Sequence, residues 1–150
     1  MVKYAGMIGI DTNLLIYAHR GGCPEHHAAM KALEKAVRHP AGWGIPMLCL
    51  GEFWAVVTHP NCPGGPSSLA EAYGFIRNLI EDGDGRVWIP NETLAFRWLQ
   101  SAKDLQVHGA RVFDLQAALI AFENGATEIW THDQGFQTVP GLTIHDPISE

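Results

Sequence analysis

The sequence predicts an α/β fold: a mainly parallel sheet of about five strands with helices covering both faces. Three observations predict it. Short apolar runs alternate with longer helical patterns along the chain, and strands separated by helices are joined by right-handed crossovers that leave them parallel. The 150 residues suit one domain, 1–150, able to bury ~68–70% of its unfolded surface without staples. Apolar residues make up 47% and Asp, Glu, Lys and Arg 17%, which excludes disorder as a global description.

Gly6–Ile10 is a short apolar run followed by polar residues, as in a buried parallel strand. Helical spacing of Leu14, Leu15 and Ala18 follows at once and stops at Gly21-Gly22. The next helix runs from His26 to His39, with Ala29, Leu33, Ala36 and Val37 on one face and Lys31, Lys35 and Arg38 on the other. Trp43–Pro46 is a strand and Leu48–Thr58 a helix. The Pro/Gly-rich stretch His59–Pro66 is a loop. Ser67 or Ser68 caps a fourth helix, with Glu71 placed to bond back to Ser68 in a capping box, and this helix runs to about Glu81. Arg86–Ile89 is a strand closed by Pro90, and Asn91 caps a fifth helix to about Leu105. Val112–Asn124 is the sixth helix, stopped by Gly125. Glu128–Thr131 and Leu142–Ile144 are the last strands. Ligands of such sheets sit at the carboxyl ends of the strands.

The formal charge of −6 argues against a protein that grips nucleic acid by bulk charge. It leaves room for an enzyme that meets phosphate through a bound cation. Cys23, Cys49 and Cys62 form an odd set with no CxxC, so they are expected as free thiols in a reducing cytoplasm. No apolar run is long enough to span a bilayer. The N-terminal MVKYAGMIGIDTN has too short an apolar run, interrupted by Asp11, for a secretory leader.

Four carboxylates carry the chemistry. Asp11 and Asp133 follow the first and fourth strands, at the edge where a parallel sheet gathers its ligands. Glu52 is the single charge in MLCLGEFWAVV, a helix expected to be buried on most sides, where an unpaired Glu is uncommon. Asp114 lies in VFDLQAALIAF, in the first helical turn, with Ala118 and Ala121 on its face leaving room beside the carboxylate. Taken singly, Asp11 also serves as a helix cap, Asp114 as a dipole partner and Asp133 as a turn residue. Gathered in one cleft, four anions share protons or bind a cation. All-oxygen ligands select Mg²⁺ or Mn²⁺. Such an ion suits phosphodiester hydrolysis, because it polarises the phosphoryl oxygen and steadies the leaving oxyanion.

The segments IDTNLLIYA (Ile10–Ala18), GEFWAVVTHP (Gly51–Pro60), GARVFDLQAALIAFENGA (Gly109–Ala126) and THDQGF (Thr131–Phe136) resemble those of the PIN-domain nucleases. The closer likeness is to the VapC toxins of bacterial toxin–antitoxin pairs. This resemblance implies an α/β/α three-layer sandwich, Mg²⁺- or Mn²⁺-dependent cleavage of RNA, frequent homodimers and a small antitoxin partner. The chain's negative charge would favour an antitoxin tail carrying Arg or Lys. By motif position, Asp11, Glu52, Asp114 and Asp133 are then the metal-site acids, and Asn13 and Thr131 the polar residues lining that site. His132 stands where relatives often carry Asn, and Gly135 where an acidic residue is common.

Arg20, Arg111 and His108 are candidate phosphate contacts at the strand-end edge, with solvated surface charge the preferred reading for Arg20. His19, Cys23 and His26 have spacing reminiscent of zinc, but no fourth ligand stands nearby. Trp54, Trp88, Trp98 and Trp130 read as core or interface packing before base-stacking platforms. Two other functions compete with the nuclease. A non-catalytic RNA- or protein-binding module would not require the four acids. A phosphatase working through an aspartyl-phosphate needs a second Asp two residues after the first, and position 13 is Asn.

Overall fold

The computed structural model describes residues 6–149. The leader reading of residues 1–5 and the extreme ends of the 1–150 domain lie outside them. Among the described residues the elements are β1 (Met7–Ile10), α1 (Thr12–His19), α2 (His26–Val37), β2 (Trp43–Pro46), α3 (Met47–Val57), α4 (Leu69–Glu81), β3 (Arg86–Trp88), α5 (Leu94–Asp104), α6 (Arg111–Glu123), β4 (Ala126–Trp130) and β5 (Thr143–His145). The five strands lie in the order β3-β2-β1-β4-β5, and every pairing is parallel. Predicted ends differ by a residue or two, as terminal turns and frayed strands allow.

Helices cover both faces of the sheet, giving three layers. On one face, α1 to α4 bury Leu14, Leu15, Ala29, Leu33, Phe53 and Val57 against Ile8, Ile10, Trp43 and Ile45. On the other, α5 and α6 close Leu94, Leu115, Leu119 and Ile120 over Trp88 and Ile129. Gly44 leaves space for Trp88, because a Cβ there would stand 2.4 Å from the indole. The capping box of α4 forms, with Ser68 Oγ accepting the Glu71 N–H at 3.1 Å. Gly125 ends α6 at φ +101°, a conformation that glycine adopts without steric cost.

Three expectations are corrected. The helix carrying Glu52 is not buried on most sides: α3 buries Cys49, Phe53 and Val57, one stripe at i, i+4 and i+8, and leaves Met47, Trp54 and Val56 exposed. Packing against α1 and β2 consumes only that stripe, so an all-apolar helix does not imply burial all round. Asn91 does not cap α5. Its Oδ1 accepts the N–H and hydroxyl of Thr93, a local turn that delays the helix to Leu94. Arg20 is not a solvated charge: its guanidinium donates to the carbonyls of Pro63 and Gly65 at 2.7 and 2.6 Å and to Ser67 Oγ at 3.1 Å, clamping the Pro/Gly loop.

Trp88 and Trp130 are core residues, Trp98 is half-buried with its N–H on the Val112 carbonyl, and Trp54 is exposed. Val37 is the one member of the early apolar stripe left outside the core. His19 and His26 bond to Ser67 Oγ and to the Tyr17 carbonyl. Among the described residues no helix is long and apolar enough to cross a membrane.

Candidate active site

The site forms where β1 and β4 end side by side at the middle of the sheet. Ile10 pairs with Trp130, and the next backbone N–H, that of Asp11, donates to the Trp130 carbonyl at 3.0 Å. Asp11 and Thr131 therefore leave the sheet as neighbours. Asp11 turns into α1 as its N-cap, with Oδ1 accepting the Thr12 N–H at 2.8 Å. Its second oxygen accepts from Thr131 Oγ1 at 2.9 Å and Asn13 Nδ2 at 3.2 Å. The Cys49 thiol, 3.7 Å from Oδ1, adds a weak donor from α3. Asp11 is 9% exposed. Burial raises its pKa, and the charge of Asp114 adds to the rise, while the Thr12 and Thr131 bonds oppose it.

Glu52 faces the same space from α3. Thr12 Oγ1 donates to its Oε1 at 3.2 Å. Glu52 is exposed as a residue, but partial desolvation of its carboxyl raises its pKa first, followed by the charges of Asp11 and Asp114. The three acids Asp11, Glu52 and Asp114 thus feel one another across one cleft, although they come from separate helices and a strand end.

Asp133 is held differently. Arg111, at the start of α6, donates from Nη1 to Asp114 Oδ2 at 2.9 Å and to Asp133 Oδ2 at 2.5 Å. That guanidinium is the largest cause lowering the Asp133 pKa. The Asp133 N–H donates to Thr131 Oγ1 at 3.1 Å, joining its turn to the Asp11 network. Asn13 completes the frame, donating to Thr131 Oγ1 at 2.8 Å and accepting the His132 N–H at 3.0 Å. The His132 ring bonds to Asp146 at 2.9 Å.

Asp11, Glu52, Asp114 and Asp133, with Asn13 and Thr131, thus lie at one end of the sheet. His108 is exposed in the turn before α6 and makes no hydrogen bond or ion pair to the acids among the described residues. Arg111 is bound to two of the acids, not free to meet a phosphate. Thr12 and Cys49 are the residues the sequence reading missed. Cys49 stands three residues before Glu52, which puts the two on one helical face; that spacing was the available signal.

The donor set fits a hard divalent cation, since carboxylates converge with hydroxyl and amide partners and without a thiolate among them. The buried thiol is held protonated, its pKa well above the ordinary thiol value through burial and the Asp11 charge. Among the described residues no three acidic, His or Cys side chains stand together at metal-binding separation. Two of the four acids instead share the Arg111 guanidinium.

The PIN-domain signature matches residues 8–142, from β1 to the approach to β5. This chain belongs to the PIN-domain family. Among curated proteins, it is 29% identical to VapC ribonuclease Mb2897 of Mycobacterium bovis (strain ATCC BAA-935 / AF2122/97) over 142 residues, 95% of this chain and 96% of that protein. Ribonuclease VapC24 of Mycobacterium tuberculosis is 29% identical over 152 residues, 95% of this chain and 98% of its own length. The PIN fold is shared with a crystal structure of VapBC2 from Rickettsia felis bound to a DNA fragment from their promoter. The TM-score is 0.67 at 16% identity, covering 93% of this chain and 98% of that one.

Proposed function

We infer that this protein is a divalent-cation-dependent endoribonuclease, the toxin member of a VapBC-type pair. The observation that carries the reading is that Asp11, Glu52 and Asp114, from three elements, face one cleft, where desolvation and then their mutual repulsion raise the pKa of Asp11 and Glu52. Such a cleft lowers its own electrostatic energy by admitting a cation. The full-length likeness to proteins named VapC ribonucleases supports the same activity.

Asp11, Glu52 and Asp114 would hold Mg²⁺ or Mn²⁺, with Asp133 completing the cluster. The cation, when bound, supplies polarisation of the scissile phosphate and activation of the attacking water. Thr131 and Asn13 keep the outer oxygen of Asp11 fixed, and Thr12 orients Glu52. Partners that orient metal ligands in this way typically cost ~10–100-fold when removed. An RNA substrate, homodimerisation and capture by an antitoxin with a basic tail belong to the same proposal. The fold shared with VapBC2 from Rickettsia felis, a complex bound to a DNA fragment from their promoter, supports an antitoxin partner.

The test is cleavage of total RNA with and without Mn²⁺, with the ends mapped, comparing this chain with Asp11→Asn. Mn²⁺-dependent cuts that vanish in the variant are the expected result. Undiminished cleavage by a folded Asp11→Asn protein overturns the assignment.

A further inference from the structure

Arg111 occupies a position that helix electrostatics disfavours. It is the first residue of α6, and a cation in a first helical turn opposes the macrodipole, which favours anions there. The carboxylates of Asp114 and Asp133 hold it in place. One nitrogen of its guanidinium bridges both acids, and the second reaches Asp133 Oδ1 at 3.4 Å.

The backbone makes room for this bridge. A Cβ on Gly135 would lie 2.3 Å from Arg111 Nη2 and 2.9 Å from its Cζ, inside any real contact distance. Gly135 is not among the glycines with positive φ, so its turn does not need glycine for conformational reasons. What glycine provides is the space in which the guanidinium lies. The Gly135 N–H also donates to Asp133 Oδ1 at 3.0 Å, fixing that carboxylate toward the arginine.

We propose that Arg111 is an internal counter-ion lock: it holds Asp114 and Asp133 in the cation-free protein, competes with the divalent cation for them, and must leave when the cation binds. The proposal rests on the cation-dependent reading above and adds what sets the affinity. A guanidinium bonded to Asp114 Oδ2 and to both Asp133 oxygens repels a cation brought to the same carboxylates, so the two charges compete for them. Gly135 is the permissive half of the device and Arg111 the active half.

Mn²⁺ titration of the cation-free, full-length chain by calorimetry tests the lock without any RNA. The proteins compared are the wild type, Arg111→Gln and Gly135→Ala, with Asp11→Asn as the control for binding at this site. Arg111→Gln removes the competitor. Gly135→Ala keeps every charge and displaces the flexible end of Arg111. Both are expected to bind Mn²⁺ about tenfold more tightly than wild type, each with a larger Mn²⁺-induced rise in Tm. Unchanged or weaker binding in Arg111→Gln overturns the lock while leaving the nuclease reading in place. Should that variant misfold by circular dichroism, Gly135→Ala carries the test on the same criterion. Failure of every protein to bind Mn²⁺ overturns the lock and the cation-dependent reading together.

Discussion

Asn13 and Thr131, 118 residues apart in the chain, are joined by a 2.8 Å hydrogen bond from Asn13 Nδ2 to Thr131 Oγ1. The same hydroxyl donates to Asp11 and accepts the Asp133 N–H. One buried oxygen therefore fixes the acids of two strand ends relative to each other. Thr131→Val keeps the shape and removes that oxygen. It leaves one Asp11 oxygen short of a donor, so a loss of about 1–3 kcal/mol is expected. Urea denaturation of the cation-free protein measures it. Stability equal to wild type would show that the hydroxyl is replaceable by water.

The raised pKa of Asp11 predicts a direction for stability against pH. A carboxyl whose folded pKa exceeds its unfolded value binds more protons folded than unfolded between the two. Stability is therefore lost as pH rises from the ordinary 3.8 through the folded value. Asp133 acts in the opposite sense, its lowered pKa adding stability that disappears as pH falls. Subtracting curves isolates Asp11: relative to wild type, cation-free Asp11→Asn should gain stability steadily as pH climbs above about 4. A difference curve flat with pH contradicts the buried-charge account.

Gly44→Ala probes the sheet beneath the site. The added methyl meets the ring of Trp88, which is buried and cannot swing aside. Overpacking of this kind costs roughly 1–3 kcal/mol. Thermal unfolding followed at the tryptophan fluorescence reads the shift, and a Tm unchanged from wild type would mean the indole has room to move.

Arg20→Ala should loosen the loop after α3 without touching the acids. It removes the donors to Pro63 and Gly65. Amide exchange at Gly65, whose N–H bonds the Cys62 carbonyl at 2.9 Å, should quicken by roughly tenfold. Exchange as slow as in wild type would assign the loop's order to its own turns.

Much of this molecule was legible from periodicity and punctuation. Trp43–Pro46 is bounded by turn residues and comes out at the predicted limits. The Ser68 cap follows from a serine three residues ahead of a glutamate. Glu52 and Asp114 stand out because they punctuate apolar helices, and Asp11 and Asp133 because each follows a predicted strand. What stayed hidden depends on through-space relations. The apolar neighbours of Glu52 predict burial, yet α3 presents only one stripe inward. No local pattern announces that Arg111 spans two acids, since Asp133 lies 22 positions away. Gly135 reads as an ordinary turn residue until the arginine above it is seen.

The strand order has a consequence for how this chain is made. β1 is synthesised first but lies between β2 and β4, so the platform that sets Asp11 beside Thr131 is incomplete until Ala126–Trp130 has emerged from the ribosome. A nascent or truncated polypeptide ending before that strand carries Asp11, Glu52 and Asp114 without the hydroxyl and turn that organise them. The arrangement of acids at the end of the sheet is thereby withheld from translation intermediates and arises only when synthesis is nearly finished.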